Sequence, residues 1–296
     1  AETHRDKFKI PVIGITGSNG KTIVKEWLYQ LLSPDRVVTR SPRSYNSQIG
    51  VPLSVWLMNE HTELAIFEAG ISEMGEMEAL QTIIKPTVGI LTNIGGAHQE
   101  NFFSLQDKCM EKLTLFKDCD VIVYDGDNEL ISSCVAKSLF ASREIERPLF
   151  IESIQKGEHA TTIKYRYLGM PNEFSIPFID DASIENSLHC LAVALYMMVP
   201  PEQITERMAR LEQIAMRLEV KEGKNGCVLI NDSYNSDLAS LDIALDFMSR
   251  RSDDKGKKRT LILSDMLETG QSGKLLYRQV AELVHSRGVE KIIGVG

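Results

Sequence analysis

The first 124 residues alternate short apolar runs with helical patterns, and this alternation constrains the fold more than any other feature. The apolar runs are Pro11–Thr16, Val37–Thr39, Leu64–Glu68, Val88–Thr92 and Val121–Tyr124. Helical patterns lie between them, at 21–32, 49–58, 76–84 and 105–116. Strands that alternate with helices pair in parallel, and near-continuous apolar runs indicate strands buried on both faces. The pattern predicts an α/β fold with a mostly parallel sheet and flanking helices.

The pattern changes after residue 150. Residues 161–168 and 173–178 alternate apolar and polar side chains around 169–172, which predicts a hairpin with a four-residue turn. Two helices are expected next, at 182–198 and 201–214, followed by a second alternating β/α unit that starts near residue 217. We therefore predict a domain boundary near residue 215.

The glycine-rich segment from Gly14 to Thr22, GITGSNGKT, follows the first apolar run and opens a helix. Glycines let backbone N–H groups turn towards a phosphate, and the helix N-terminus adds partial positive charge. In such a loop Lys21 would reach the β- and γ-phosphates and the Thr22 hydroxyl would bind Mg²⁺. The segment predicts nucleotide binding and a sheet of the phosphate-loop type, although Ile15 breaks the strict spacing of the motif.

Polar side chains end or follow the next apolar runs. Glu68 ends one run, Asn93 follows another and His98 lies five residues further on. Ligands bind at the carboxyl ends of parallel strands, so these groups could hold Mg²⁺, or they could be capping and loop residues. Lys112 alone would be read as a solvated helical charge. Asp232 could bind a ribose or a metal, or cap a helix.

Composition excludes several classes of function. The net charge of −8 argues against a general binder of nucleic acid or of anionic membranes. No apolar run approaches the roughly 18 residues of a membrane span. The five cysteines include no C-x-x-C pair, which favours a reducing, cytoplasmic setting. Because the chain lacks an initial Met and stops just after a strand-like run, we expect it to be part of a longer protein.

Seven motifs, in one order, resemble the Mur ligases, ATP-dependent enzymes that form amide bonds in peptidoglycan precursor synthesis. The motifs are ITGSNGKT at 15–22 with VKEW, YNSQIGVPLSV at 45–55, FEAGISEMGEM at 67–77, TNIGGAHQENF at 92–102, RLEV at 217–220, NDSYNS at 231–236 and LSDMLETG at 263–270. Within the family the sequence is most similar to the branch that adds D-alanyl-D-alanine to UDP-N-acetylmuramoyl-tripeptide.

The resemblance implies a central ATP-binding domain at 1–215 and the first part of a Rossmann-like ligase domain at 216–296. An N-terminal domain that holds the UDP-sugar would be missing. The implied partners are the UDP-linked tripeptide and D-alanyl-D-alanine, with no nucleic acid and no membrane insertion. In some similar proteins an alanine racemase domain follows, so the parent protein could carry one.

The resemblance also assigns roles to individual residues. Lys21, His98 and Lys112 would be catalytic, Lys112 as a carbamate, and Asn46 would bind substrate. The implied ATP contacts are Gly17, Ser18, Asn19, Gly20, Lys21, Thr22, Asn93, Asn186, Arg217 and Asp232. The implied ligands of two Mg²⁺ ions are Thr22, Glu68, His98 and Lys112.

The sequence departs from the family pattern at several positions. Where the family reads H-N-x-x-N near the adenine, this chain has Glu185, Asn186 and His189. Thr114 stands where an acid often follows the modified lysine, Ile23 follows Thr22, and Ser236-Asp237-Leu238 replaces Ala-Asn-Pro. Three alternatives stay open: another amide ligase such as a folylpolyglutamate synthase, a nucleotide-hydrolysing switch or motor, and a fragment that binds ATP without ligating. The sequence has no N-K-x-D motif of the GTPase type.

Overall fold

A computed structural model describes residues 1–95, 101–138, 149–215, 218–233, 237–250, 256–266 and 272–295. The strands are β1 Val12–Thr16, β2 Val38–Arg40, β3 Leu64–Glu68, β4 Val88–Leu91, β5 Val121–Val123, β6 Leu149–Lys156, β7 Thr161–Tyr167, β8 Met170–Ile176, β9 Glu219–Glu222, β10 Val228–Asn231, β11 Thr260–Ser264 and β12 Lys291–Val295. The α-helices are α1 Glu2–Arg5, α2 Lys21–Leu32, α3 Gly50–Val55, α4 Glu76–Ile84, α5 Leu105–Leu113, α6 Glu129–Lys137, α7 Asp181–Tyr196, α8 Pro201–Met208, α9 Leu238–Arg250 and α10 Gly273–Ser286.

Strands β1 to β5 form one parallel sheet in the order β2-β3-β1-β4-β5, which confirms the predicted α/β fold. Successive side chains of a strand point to opposite faces of the sheet. Accordingly Val12 belongs to one buried apolar cluster, with α3 to α6, whereas Ile13 and Ile15 belong to a second, with α2, α7 and α8. Because β1, β3 and β4 are buried throughout, their sequences lack the alternation of half-exposed strands.

The parallel arrangement brings the carboxyl ends of β1, β3 and β4 to the same edge of the sheet. Three segments leave the sheet there, at 17–20, 69–75 and 92–95. Helix α5 approaches the same edge and places Lys112 against Gly17. The sheet topology therefore collects the residues that the sequence singled out at 17–22, 68, 93 and 112.

A separate antiparallel sheet has the order β6-β7-β8. The predicted hairpin is present, but the four-residue turn is wrong: Tyr167 pairs with Met170, so the turn has two residues, Leu168 and Gly169. Both have positive φ, 48° and 82°, as a type I′ turn requires. The adjoining strand β6 and helix α6 were not predicted, and α3 and α8 end earlier than expected, at Val55 and Met208.

Beyond residue 218 the strands pair in two ways. Strands β9 and β10 are antiparallel, while β11 and β12 are parallel and accompany α9 and α10. The predicted alternating unit is therefore only partly parallel, because a short connection around 224–226 turns the chain straight back. Within the described ranges, no helix has the length and apolarity that crossing a membrane requires.

Candidate functional site

The loop between β1 and α2 has the backbone of a phosphate-binding loop. Gly17 has φ of 144° and Gly20, at the N-terminus of α2, has φ of 83°. A Cβ atom on Gly17 would lie 1.9 Å from Thr92 Oγ1, and one on Gly20 would lie 2.3 Å from Asn186 Oδ1. Glycine is required at both positions for conformation and for space. No side chain caps α2, so its first N–H groups face the loop as an anion site would need.

Asn93 holds the loop from the neighbouring strand. Its side-chain oxygen accepts from Asn19 N at 2.9 Å and its carbonyl oxygen accepts from Ser18 N at 2.9 Å. The Thr92 hydroxyl donates to Asn19 O at 2.6 Å. Asn93, which the resemblance assigns to ATP binding, thus lies beside the loop. These contacts give the side chain a supporting position, since its oxygen is already bound to the loop.

Lys21 lies over the loop that it follows. Its ammonium donates to Gly17 O at 2.8 Å and to Ser18 O at 3.1 Å. Main-chain carbonyls are weak substitutes for phosphate oxygens, which bind a lysine with full opposite charge. The side chain is thus already in the position from which it could bind a phosphate held by the loop.

Thr22 and Glu68 bring two hard oxygen donors together below the loop. Thr22 Oγ1 donates to Glu68 Oε2 at 3.0 Å and lies 2.9 Å from Ser44 Oγ. The other carboxylate oxygen, Glu68 Oε1, lies 3.0 Å from Lys25 Nζ without hydrogen-bond alignment. Glu68 is wholly buried, and Lys25, which is also wholly buried, is its ion-pair partner.

These donors fit Mg²⁺, which usually takes one or two carboxylates and completes its shell with phosphate and water oxygens. In the part of the chain that the structure describes, no group of three or more His, Cys, Asp and Glu side chains could hold a metal. Among the described residues, the Thr22 hydroxyl and the Glu68 carboxylate could therefore bind a Mg²⁺ ion together with the bound nucleotide.

Lys112 is not the solvated helical charge that its sequence position alone would suggest. Its side chain is 2% exposed and its Nζ donates to Gly17 O at 3.3 Å. Burial, followed by the nearby charges of Lys21 and Lys108, holds the pKa of Lys112 well below its usual range. The neutral amine is thereby favoured, and a neutral amine is the form that reacts with CO₂.

A cavity of about 460 Å³ opens beside the loop. Asn46, the predicted substrate residue, lines it, and the Asn46 carbonyl accepts from Gly70 N at 2.8 Å. The remaining lining residues are Gly17, Ser18, Asn19, Gly20, Lys21, Thr22, Ser47, Gln48, Ile49, Gly70, Ile71, Ser72, Glu76, Lys108 and Lys112. The structure thus brings the phosphate loop, Asn46 and Lys112 to one cavity.

Asn186 lies on the far side of the loop, on α7, where it abuts Gly20. One turn away, His189 Nε2 lies 3.1 Å from Thr92 O. Burial lowers the pKa of His189 to about 4, and burial together with Asp125 raises the pKa of Glu185 to about 7. This part of α7 is therefore next to the loop, but no described contact assigns it to a nucleobase.

Three predicted site residues remain, and the structure does not place any of them in the cavity. His98 and Arg217 lie outside the described residues. Asp232 lies just after β10, and its Oδ1 accepts from Leu218 N at 3.1 Å, fourteen residues earlier in the chain. Asp232 does not line the cavity.

Sequence reasoning missed three charged residues at the site. Lys25 binds the Ser41 and Arg43 carbonyls as well as Glu68. Glu111 Oε1 accepts from Gly75 N at 2.9 Å and Met77 N at 3.0 Å, and Lys108 lines the cavity. For Lys108 the sequence did contain a signal: it lies four residues before Lys112, and residues at this spacing share one face of a helix.

Comparisons with known proteins show what the chain is similar to. Residues 15–194 match the model of the Mur ligase middle domain. The chain is 29% identical over 304 residues to the UDP-N-acetylmuramoyl-tripeptide–D-alanyl-D-alanine ligase of Bacillus subtilis, with 100% of this chain and 65% of that protein covered. The namesake from Borreliella burgdorferi is 30% identical over 298 residues, with 98% and 63% covered. The chain thus spans less than two thirds of these relatives.

Solved structures show the same fold. A crystal structure of MurF from Acinetobacter baumannii superposes with a TM-score of 0.83 at 21% identity, covering 100% of this chain and 66% of that one. The MurF ligase from Thermotoga maritima, in complex with ADP, superposes with a TM-score of 0.79 at 21% identity, covering 99% and 72%.

Proposed function

Because the chain belongs to the Mur ligase family, we propose that it is the ATP-binding part of an ADP-forming ligase that adds D-alanyl-D-alanine to UDP-N-acetylmuramoyl-tripeptide. The observation that carries the proposal is the loop at the uncapped N-terminus of α2, which includes Lys21 and Thr22 at its end. This loop opens onto a cavity that Asn46 and Lys112 also line. In this proposal residues 1–215 form the central domain and 216–296 begin the ligase domain. The reaction belongs to the cytoplasm, where the nucleotide-linked precursor is made.

Amide formation needs activation of a carboxylate, which is a poor electrophile. The γ-phosphoryl group of ATP is transferred to the tripeptide carboxylate, giving an acyl phosphate and ADP. The amine of D-alanyl-D-alanine then attacks the acyl carbon, and phosphate leaves from the tetrahedral intermediate. The protein contributes positioning and charge stabilisation. Lys21 neutralises charge on the phosphates, and the loop N–H groups orient them.

Mg²⁺ would be held by the Thr22 hydroxyl and the Glu68 carboxylate, with His98 as a further ligand. When bound, it neutralises phosphate charge and orients the phosphoryl group. Lys25 fixes one Glu68 oxygen and leaves the other turned towards Thr22. Thr22 and Glu68 are thus already oriented towards each other before nucleotide binds.

Lys112 would carry a carbamate. Its neutral amine attacks CO₂, a N–C bond forms and one proton is released, so that an uncharged amine becomes an anionic oxygen ligand. The buried position and the lowered pKa of Lys112 support this modification. Carbamate formation can be followed by ¹³C NMR after equilibration with ¹³C-bicarbonate. A signal in the wild-type chain that is missing from Lys112→Gln is expected, and an equal signal in both would contradict the assignment.

The ligase function is tested by phosphate release from ATP, measured on the complete protein that carries this sequence. Release should require both UDP-N-acetylmuramoyl-tripeptide and D-alanyl-D-alanine, with the pentapeptide product detected by mass spectrometry. The Lys21→Met variant should abolish it. Release that ignores both acceptors would overturn the proposal and favour a nucleotide hydrolase, whereas release with folate and glutamate would favour a folylpolyglutamate-type ligase. We expect the 296-residue chain by itself to bind ATP without ligating.

A further inference from the structure

Glu111 joins two parts of the cavity wall, and neither the loop motif nor the family resemblance assigns it a role. It lies on α5 directly before Lys112, and its side chain is 9% exposed. Its Oε1 accepts from Gly75 N at 2.9 Å and from Met77 N at 3.0 Å, at the start of α4. One carboxylate oxygen on the helix that carries Lys112 thus holds a segment that lies 34 to 36 residues earlier in the chain.

The segment that Glu111 holds belongs to the rim, which we define as residues 46–49 and 70–76. Most of the rim lines the cavity beside the phosphate loop. Its two segments are bonded to each other, since Gln48 Nε2 donates to Glu76 O at 3.0 Å. Within the second segment, Glu76 Oε2 accepts from Ser72 N at 2.7 Å. Hydrogen bonds thus join the rim into one piece.

The exposure of the rim explains why it needs these bonds. Residues 72–75 are exposed, whereas Ile71 and Met77 on either side are buried. Packing therefore holds the ends of this stretch, and hydrogen bonds hold the part between them. Gly75 is the N-cap of α4 and has no side chain to cap it, while the first N–H groups of a helix have no partner within the helix. Glu111 supplies that partner, and a carboxylate is favoured at this positive end of a helix.

The rim is the part of the cavity that the second substrate should contact. In the proposed reaction the γ-phosphoryl group passes directly from ATP to the tripeptide carboxylate, so both substrates must meet in one cavity. The loop at 17–22 takes the phosphates, which leaves the rim and α5 for the tripeptide. Asn46, Ser47 and Ser72 give the rim uncharged polar groups, which suit the amide groups of a peptide.

We propose that Glu111 is a positioning residue, which holds the rim in the conformation that binds the UDP-linked tripeptide. This inference rests on the proposed function, because it needs the tripeptide as the second substrate. Without the two bonds to Glu111, part of the exposed stretch 72–75 would have to be ordered when the tripeptide binds. Ordering a single residue costs roughly tenfold in affinity. Nucleotide affinity should not depend on Glu111, since Asn93 holds the phosphate loop.

The test measures kcat and the KM of each substrate by phosphate release from the complete protein. Glu111→Ala should raise the KM for UDP-N-acetylmuramoyl-tripeptide about tenfold, while kcat and the KM for ATP change less than about twofold. Glu111→Gln should stay within about twofold of the wild type, because both bonds go to Oε1 and a glutamine carbonyl oxygen can accept them. Glu111→Asp should resemble Glu111→Ala, because its side chain is a methylene shorter, and it serves as the second variant if the alanine variant does not fold.

Glu78→Ala is the matched control, because it removes an exposed carboxylate from the same first turn of α4, and it should leave every constant unchanged. Three results would overturn the proposal: an equal rise in the KM values for ATP and the tripeptide, a rise confined to the KM for D-alanyl-D-alanine, or no rise in Glu111→Ala and Glu111→Asp. So would an impaired Glu111→Gln beside a normal Glu111→Asp, since charge and not position would then be decisive. If the complete wild-type protein releases no tripeptide-dependent phosphate, the proposed function itself fails, which is a different outcome.

Discussion

The Glu185→Gln substitution should change how stability depends on pH. Glu185 and His189 lie one turn apart on α7, and Asp125 acts on both. Burial, with a contribution from Asp125, raises the pKa of Glu185 from 4.5 to about 7. Burial lowers the pKa of His189 from 6.5 to about 4. The effects of the two groups on the free energy of unfolding therefore fall in overlapping pH ranges and have opposite signs.

The signs follow from proton linkage. Folded Glu185 holds its proton more tightly than the unfolded chain does, so its contribution is full below pH 4.5 and is lost as the pH rises through about 7. Folded His189 holds its proton less tightly, so stability is lost as the pH falls from 6.5 towards 4. At about 1.4 kcal/mol per pKa unit, each effect amounts to about 3 kcal/mol, and they largely offset each other in the wild type.

In Glu185→Gln, the pH dependence of stability that arises from His189 is no longer offset by that of Glu185. Between pH 7.5 and pH 5, Glu185→Gln should lose about 2 kcal/mol more unfolding free energy than the wild type, since most of the Glu185 titration lies in that interval. Urea unfolding followed by tryptophan fluorescence measures this, because Trp27 and Trp56 both lie in or beside the helices of the parallel sheet. His189→Asn should shift the difference in the opposite direction. A stability difference between Glu185→Gln and wild type that does not vary with pH would refute the reasoning.

Three further substitutions test the loop and its support. Gly20→Ala should destabilise the fold by about 1–3 kcal/mol and weaken ADP binding more than tenfold in calorimetry. Gly75→Ala is the control, because Gly75 has a similar φ of 86° but open space around it, and it should leave ADP binding unchanged. Lys25→Met should lower the urea-unfolding free energy by about 3–5 kcal/mol because Glu68 stays buried and unpaired, and adding Glu68→Gln should restore much of the loss. Thr22→Val should abolish the gain in nucleotide affinity that Mg²⁺ gives and leave the affinity in EDTA unchanged; an undiminished Mg²⁺ effect would remove Thr22 from the metal site.

The central sheet could be predicted from the sequence because its strands are buried on both faces. A continuous apolar run such as Leu64–Glu68 has few alternatives when a helical pattern follows it. The predicted length of the hairpin turn was wrong because Leu168 adopts a positive φ, which a leucine rarely does. The register of β7 with β8 imposes this conformation here. Local sequence therefore determined the strands better than it determined their connections.

The sequence predicted the part of the site whose functional groups all lie in one short segment. The loop from Gly17 to Thr22 has its glycines, lysine and hydroxyl in one stretch, and the structure keeps them together. The pairing of Lys25 with Glu68 joins residues 43 positions apart, so no local pattern contains it. Lys112 was ambiguous for the same reason, since burial of a helical lysine depends on what packs over the helix.

Two kinds of buried lysine lie at or beside this cavity, and they differ in the groups that accept their hydrogen bonds or pair with them. Lys25 is matched by the Glu68 carboxylate, a pairing that holds the fold without any ligand. The cavity lysines instead donate to main-chain carbonyls, Lys112 to Gly17 and Lys108 to Gly95. A carbonyl can accept from an uncharged amine, so the contact with Gly17 is compatible with the neutral Lys112 that carbamate formation requires. Lys25 thus fixes the Glu68 carboxylate, whereas the surroundings of Lys112 favour the uncharged amine that can be modified.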